Sequence, residues 1–284
     1  MSLSLPITIV DVFAEQQMAG NQLAVVHEAG CLTDAQMLAI ARETNFSETT
    51  FVTQADASSA TVRIFTPSGE LSFAGHPTIG TAWTLTGGVG STVLNLGVGP
   101  VAVEFNANIG WMRPPEVALQ DGLSKTESAR LVGLDERDLA ADLPVTHAQI
   151  GPRFLLVPVN SLAALRDVTI DPVAWAPFIA DAAELHSIFV FTRQAYSSDA
   201  DYAARMFFND GGVREDAATG SANTAFAAYL QANLGNVGSV IVEQGFEMHR
   251  PSRLYLEVNE SIRVGGKVQL VVRGEIFIDP DSVR

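Results

Sequence analysis

The chain has 284 residues and a formal net charge of −15, with 32 acidic against 17 basic side chains. That balance argues against a nucleic-acid partner or an anionic membrane surface, both of which are bound through dense Lys and Arg. Hydrophobic residues make up 47% of a globular composition, the length predicts about two domains, and no apolar run approaches the ~18 residues of a membrane span.

In chain order, Ile7 to Phe13 and Leu23 to Val26 read as apolar strands, with Ala19-Gly20-Asn21 turning between them. The helix over Thr33 to Thr44 carries a capping box in Thr33 and Gln36, and Met37, Ile40 and Ala41 follow helical spacing on one face. Cys31 just before it reads as a buried structural thiol, and a single cysteine excludes an internal disulfide framework or a thiolate metal cluster. The first basic residue is Arg42, so the charged segment of a secretory signal is missing and a cytoplasmic protein is expected.

Strands follow over Thr49 to Thr53 and Thr61 to Phe65, then a turn at Thr66-Pro67-Ser68-Gly69 and a helix from Pro77 to Leu85, with Pro77 at its first position. Trp111-Met112-Arg113-Pro114-Pro115 is the expected domain boundary, because paired prolines interrupt a strand. The reading is an N-terminal lobe of 1–113, joined by a C-terminal strand at 275–284, and a second lobe of 114–274. In the second lobe Phe154 to Val159, Ile188 to Phe191 and Val240 to Val242 are strands and Ser221 to Leu230 is a helix, while the final strand signals over Val268 to Ile278 allow a return to the first lobe.

One local pattern occurs twice, half the chain apart. Arg63-Ile64-Phe65-Thr66 leads through a turn to Ala74-Gly75-His76-Pro77, and Arg205-Met206-Phe207-Phe208 leads through a turn to Thr219-Gly220-Ser221-Ala222. Each copy reads as a strand, a polar turn, and a glycine opening a helix of small residues. Such an opening presents unpaired backbone N–H groups and the positive end of the helix dipole, which favour an anion. Both helices are rich in Ala, Thr and Gly on every face, as expected of a helix enclosed by a curled sheet.

Standard nucleotide motifs do not fit. Gly87-Gly88-Val89-Gly90 follows a helix and precedes a strand, the reverse of a dinucleotide fold. His27, His76, His147, His186 and His249 lack the spacing of metal ligands, and no metal is expected. Glu48, flanked by Phe46 and Phe51, lies where a helix hands over to a strand. Apolar neighbours would raise its carboxyl toward neutrality, as a general acid/base needs, although from spacing alone a solvated Glu is the commoner case.

The strings NFSETTFV, RIFTPSGELSFAGHPTIGTA and VREDAATGSANTAFAAYL, with GNQLAVV before and EQGFEMHRPS after, resemble the phenazine-biosynthesis PhzF-like isomerase family over Ile7 to Ile278. The resemblance implies an α+β, diaminopimelate epimerase-like fold. That fold has two pseudo-symmetric lobes, each a curled, mostly antiparallel sheet around a central helix. It implies catalytic roles for Glu48, His76 and Asp216, substrate binding by Gly75, Gly220 and Ser221, and no cofactor. The expected partner is a small carboxylate-bearing substrate, and the family suggests a homodimer. Related epimerases carry a cysteine on each side of the substrate, and the corresponding loops here read as Ala74 and Ala217. Without those thiols, isomerisation by a glutamate proton shuttle is favoured. Epimerisation through Glu48 and Asp216, or ligand binding without turnover, are the alternatives. Gln22, Ser72 and Asn209 stand where the family often has proline, which bears on the substrate.

Overall fold

The computed structural model describes residues 3–180, 186–210 and 212–279. The chain forms two compact units, one of residues 1–113 and 265–284, the other of residues 114–264.

In the first unit β1 (Leu3–Val12) pairs antiparallel with β2 (Asn21–Val26). Helix α1 (Asp34–Thr44) follows the reciprocal capping box of Thr33 and Gln36 and buries Met37, Ile40 and Ala41. Cys31 differs from expectation. It ends a single 3-10 turn whose buried residue is Ala29, and its thiol is exposed. Next come β3 (Glu48–Ala55), β4 (Ser59–Thr66), the short β5 (Gly69–Leu71), helix α2 (Gly75–Thr86), β6 (Gly90–Leu96), β7 (Gly99–Asn106) and β8 (Ile109–Met112).

Every residue of α2 from Gly75 to Ala82 is buried, and the helix packs against β1, β2, β3, β6, β7 and β8. The close approach requires Gly80, where a Cβ would lie 2.6 Å from Leu23 and 2.7 Å from Val12. Pro77 occupies the third position of α2 and not the first. The site tolerates it because the first-turn N–H groups have no intrahelical acceptor in any case.

The second unit contains β9 (Ala118–Asp121), α3 (Lys125–Leu131), β10 (Thr146–Gln149), β11 (Arg153–Pro158), α4 (Leu162–Asp167), α5 (Pro172–Ala180), β12 (His186–Thr192), β13 (Tyr202–Asn209), β14 (Val213–Asp216), α6 (Gly220–Leu234), β15 (Gly238–Gln244) and β16 (Ser252–Val258). Helix α6 is buried from Gly220 to Ala227 and packs on β10, β11 and β16. Strand β17 (Ile262–Gly266) carries the chain back, and β18 (Val268–Ile278) pairs antiparallel with β1 along its length. The return therefore begins at Gly265, ahead of the 275–284 segment expected from sequence, of which residues 280–284 lie outside the described residues.

The pairing sequence repeats. Strand β3 is parallel to β2 and antiparallel to β4, which is antiparallel to β5 and parallel to β6, itself antiparallel to β7. The same order joins β11 through β16. Register repeats as well, with Ile64 opposite Leu71 and Phe65 opposite Glu70 in the first unit, and Met206 opposite Asp216 and Phe207 opposite Glu215 in the second.

Even the surrounding ion pair is copied. Arg63 makes a bidentate contact with Glu70 at 2.7 and 2.6 Å and lies 5.1 Å above the Phe65 ring. Arg205 holds Glu215 at 2.9 Å through both nitrogens and lies 4.8 Å above Phe207. An α+β fold of two like units, each folded around a small-residue helix, is the result.

Candidate active site

Glu48 is the first residue of β3, opposite Leu23 of the parallel β2. A buried hydrogen bond of 2.8 Å between the hydroxyls of Thr50 and Thr81 ties β3 to α2, which fixes Glu48 relative to the helix opening. Its Oε2 lies 3.5 Å from Nε2 of His76, and the two side chains are 16% and 4% exposed.

This contact is not an ion pair, because burial lowers the His76 pKa to about 3 and leaves the imidazole neutral. The opposing influence is a hydrogen bond to the Gln22 backbone. A backbone group that favours the protonated ring must be an acceptor, so it is the carbonyl. Nε2 has no hydrogen bond among the described residues. Nδ1 lies 3.4 Å from the side-chain amide nitrogen of Asn21, and Nε2 faces Glu48. Gly75 and His76 are the first two residues of α2.

In the second unit, Asp216 ends β14 and is buried. Its Oδ2 accepts a short hydrogen bond from the Thr219 hydroxyl. Thr219 is the N-cap of α6, Gly220 its first residue and Ser221 its second, so first-turn N–H groups surround the loop. The wholly buried Gln244, at the end of β15, spans this loop. Its Nε2 donates to the Asp216 carbonyl at 2.9 Å and to Thr219 Oγ1 at 3.2 Å. Its Oε1 accepts from Thr219 N–H at 3.3 Å and from Asn223 Nδ2 at 3.1 Å.

Within the units the structure thus brings Glu48, Gly75 and His76 together, and Asp216, Gly220 and Ser221 together. The helix caps agree with the repeated string. Ala74 caps α2 and Thr219 caps α6, so Thr219 stands opposite Ala74 in the duplication. The i−4 bonds agree, since Thr78 donates to the Ala74 carbonyl at 2.7 Å and Asn223 to the Thr219 carbonyl at 3.0 Å. Sequence reasoning missed Asn21, Thr219, Asn223 and Gln244. Their strings, GNQ, TGSAN and EQG, were in view, but no local spacing reveals a contact made between strands.

A family model described as phenazine biosynthesis-like protein, PhzC-PhzF, matches residues 10–276. An isomerase of Pasteurella multocida is 38% identical over 281 residues, covering 95% of this chain and 93% of the relative. The trans-2,3-dihydro-3-hydroxyanthranilate isomerase of Pseudomonas chlororaphis is 33% identical over 281 residues, 94% of this chain and 93% of its own. Among solved structures, a Bacillus anthracis phenazine biosynthesis protein of the PhzF family superposes with a TM-score of 0.85 at 26% identity, covering 97% of this chain and all of that one. The fold and these relatives define an isomerase. The chain belongs to the PhzC-PhzF, phenazine biosynthesis-like family.

Proposed function

We propose that the protein isomerises a small carboxylate-bearing metabolite by moving a proton between carbon atoms, without a cofactor, and that Glu48 is the proton shuttle. The observation that carries this reading is the Glu48 carboxyl 3.5 Å from a buried His76 kept neutral near physiological pH. A neutral imidazole does not lock the carboxylate in an ion pair, so Glu48 can both take and return a proton. One carboxyl can remove a proton from one carbon and deliver it to another on the same face of an unsaturated acid. His76 orients the carboxyl between the two steps. The helix opening at Gly75 and, in the other unit, that at Gly220 and Ser221 each present first-turn amides suited to an anionic group of the substrate, and Asp216 is assigned to orienting the substrate. The Pseudomonas relative's substrate, trans-2,3-dihydro-3-hydroxyanthranilate, is the first compound to test. Metabolites of the same class, with a carboxylate beside a ring double bond, follow.

The test is turnover of that compound followed by NMR in D2O, with wild type and Glu48→Gln. The amide keeps the shape of the carboxyl and removes the shuttle, so a loss of about 10² to 10⁴ in rate is expected with binding retained. A Glu48→Gln protein within a few-fold of wild type would reject the role. Ligand binding with no isomerisation and no deuterium uptake by wild type would favour a binding protein.

A further inference from the structure

We propose that Gln244 is a positioning residue, which through the Thr219 hydroxyl holds the Asp216 carboxylate in one orientation as a hydrogen-bond acceptor. This rests on the reading of Asp216 as a group that contacts substrate.

The direction of every hydrogen bond follows from the backbone. Thr219 N–H can only donate, so the Gln244 atom 3.3 Å from it is the oxygen. The Asp216 carbonyl can only accept, so the atom 2.9 Å from it is the amide nitrogen. The side chain therefore cannot be flipped without breaking both contacts. That nitrogen has no lone pair to offer, so Thr219 Oγ1 accepts from it at 3.2 Å. The hydroxyl's single proton then goes to Asp216 Oδ2. Gln244 thus fixes the direction of the hydroxyl, which aims its proton at one oxygen of Asp216. The next residue sets the spacing. Gly245 has φ +78°, and a Cβ there would lie 2.5 Å from the carbonyl oxygens of Ala217 and Arg250. The end of β15 is thereby pressed against the loop that follows Asp216.

The duplication supplies the control for whether the fold needs this network. Register places Leu71 opposite Ile64 and Asp216 opposite Met206, and the helix N-caps are Ala74 and Thr219. The parallel pairings of β4 with β6 and of β13 with β15, extended by one residue in the first unit, place Leu96 at the position of Gln244. The first unit therefore builds the same strand, turn and helix from Leu71, Ala74 and Leu96. The second buries Asp216, Thr219 and Gln244, and it leaves Asn223 Oδ1 buried without a hydrogen bond among the described residues. Buried polar groups cost free energy that apolar ones do not. A set of them at positions where the fold accepts leucine and alanine is there for the orientation it imposes.

The experiment compares Thr219→Val, Thr219→Ser, Gln244→Leu and Asp216→Asn, and combines Thr219→Val with Asp216→Asn. Two readouts are used, crystal structures of the variants and kcat/KM on trans-2,3-dihydro-3-hydroxyanthranilate. Thr219→Val and Gln244→Leu should turn the Asp216 carboxylate from its wild-type orientation and lower kcat/KM by about 10- to 100-fold. Thr219→Ser should retain both orientation and rate. Thr219→Val should add no further loss once Asp216 is Asn, since the valine acts only through that carboxylate. An unchanged carboxylate in the crystals of Thr219→Val and Gln244→Leu overturns the proposal, whether or not this compound is turned over. So does a loss from Thr219→Val that persists in the Asp216→Asn background. Full activity of Asp216→Asn would instead reject the role of Asp216 itself, and the positioning role with it.

Discussion

The duplicated Arg–Glu clamps allow one interaction to be weighed in two environments within one molecule. In the first unit Arg63 and Glu70 are 28% and 43% exposed. In the second Arg205 and Glu215 are 10% and 16% exposed, and Nη1 of Arg205 also reaches the carbonyls of Leu165, Arg166 and Val168 at 3.2, 3.2 and 2.9 Å. Glu70→Ala breaks an exposed pair and should cost about 1 kcal/mol at most. Glu215→Ala leaves a buried guanidinium without its counter-ion, which costs about 3–5 kcal/mol.

The two glutamates hold the same register position beside equivalent phenylalanines, so the strand-propensity cost of alanine cancels in the comparison. At roughly 2–4 °C per kcal/mol for a unit of this size, the melting temperature should fall by up to about 4 °C for Glu70→Ala and by roughly 6–20 °C for Glu215→Ala. Scanning calorimetry at 0.15 M and 1 M NaCl reads both effects. Salt should erode the smaller one, because the Debye length shrinks to about 3 Å at 1 M. Equal shifts for the two variants would refute the argument that burial sets the worth of the clamp.

The low pKa of His76 makes a pH prediction. Between its native value of about 3 and the ordinary value of 6.5, the unfolded chain binds a proton there that the native chain does not, so stability falls as pH drops through that window. Urea unfolding of His76→Asn at pH 4 to 6 should show a shallower dependence on pH, with about one proton fewer taken up on unfolding; an unchanged slope would mean the imidazole is charged in the native state. Gly220→Val should weaken binding of a carboxylate ligand far more than of its neutral amide, measured by calorimetry. Equal losses would mean that the helix opening shapes the pocket without sensing charge.

The elements that were legible in the sequence are those fixed by local chemistry. The capping box at Thr33 and Gln36 starts α1 as expected, and β18 spans the Val268 to Ile278 of its apolar pattern. The repeated string around Arg63 and Arg205 foretold the repeated pairing order. Contacts made across strands were not legible. Gln22 stood out as a departure from a proline, yet it is its backbone that meets His76. Gln244 reads as the end of an ordinary strand until β15 sets it against the loop after Asp216. Thr219 already stood opposite Ala74 in the repeated string, and the registers of β14 with β13 and of β5 with β4 keep that pairing although the two turns differ in length. Cys31 misled because its neighbours are apolar, while a short 3-10 turn points its thiol outward.

The partnership of β1 with β18, running from Leu3 opposite Ile278 to Val12 opposite Val268, imposes an order on synthesis. A nascent chain emerging from the ribosome holds β1 for almost the whole of translation before its second neighbour exists, with one strand edge open to mispairing. The unit of residues 114–264 closes its ladders from β9 to β16 among neighbours that arrive early, so it can mature while the other half waits. Pairing across so long a separation is slow to form. A premature stop shortly before residue 268 would therefore release a protein with one finished half and one permanently unclosed half, a product that quality-control proteases should recognise by its exposed first strand.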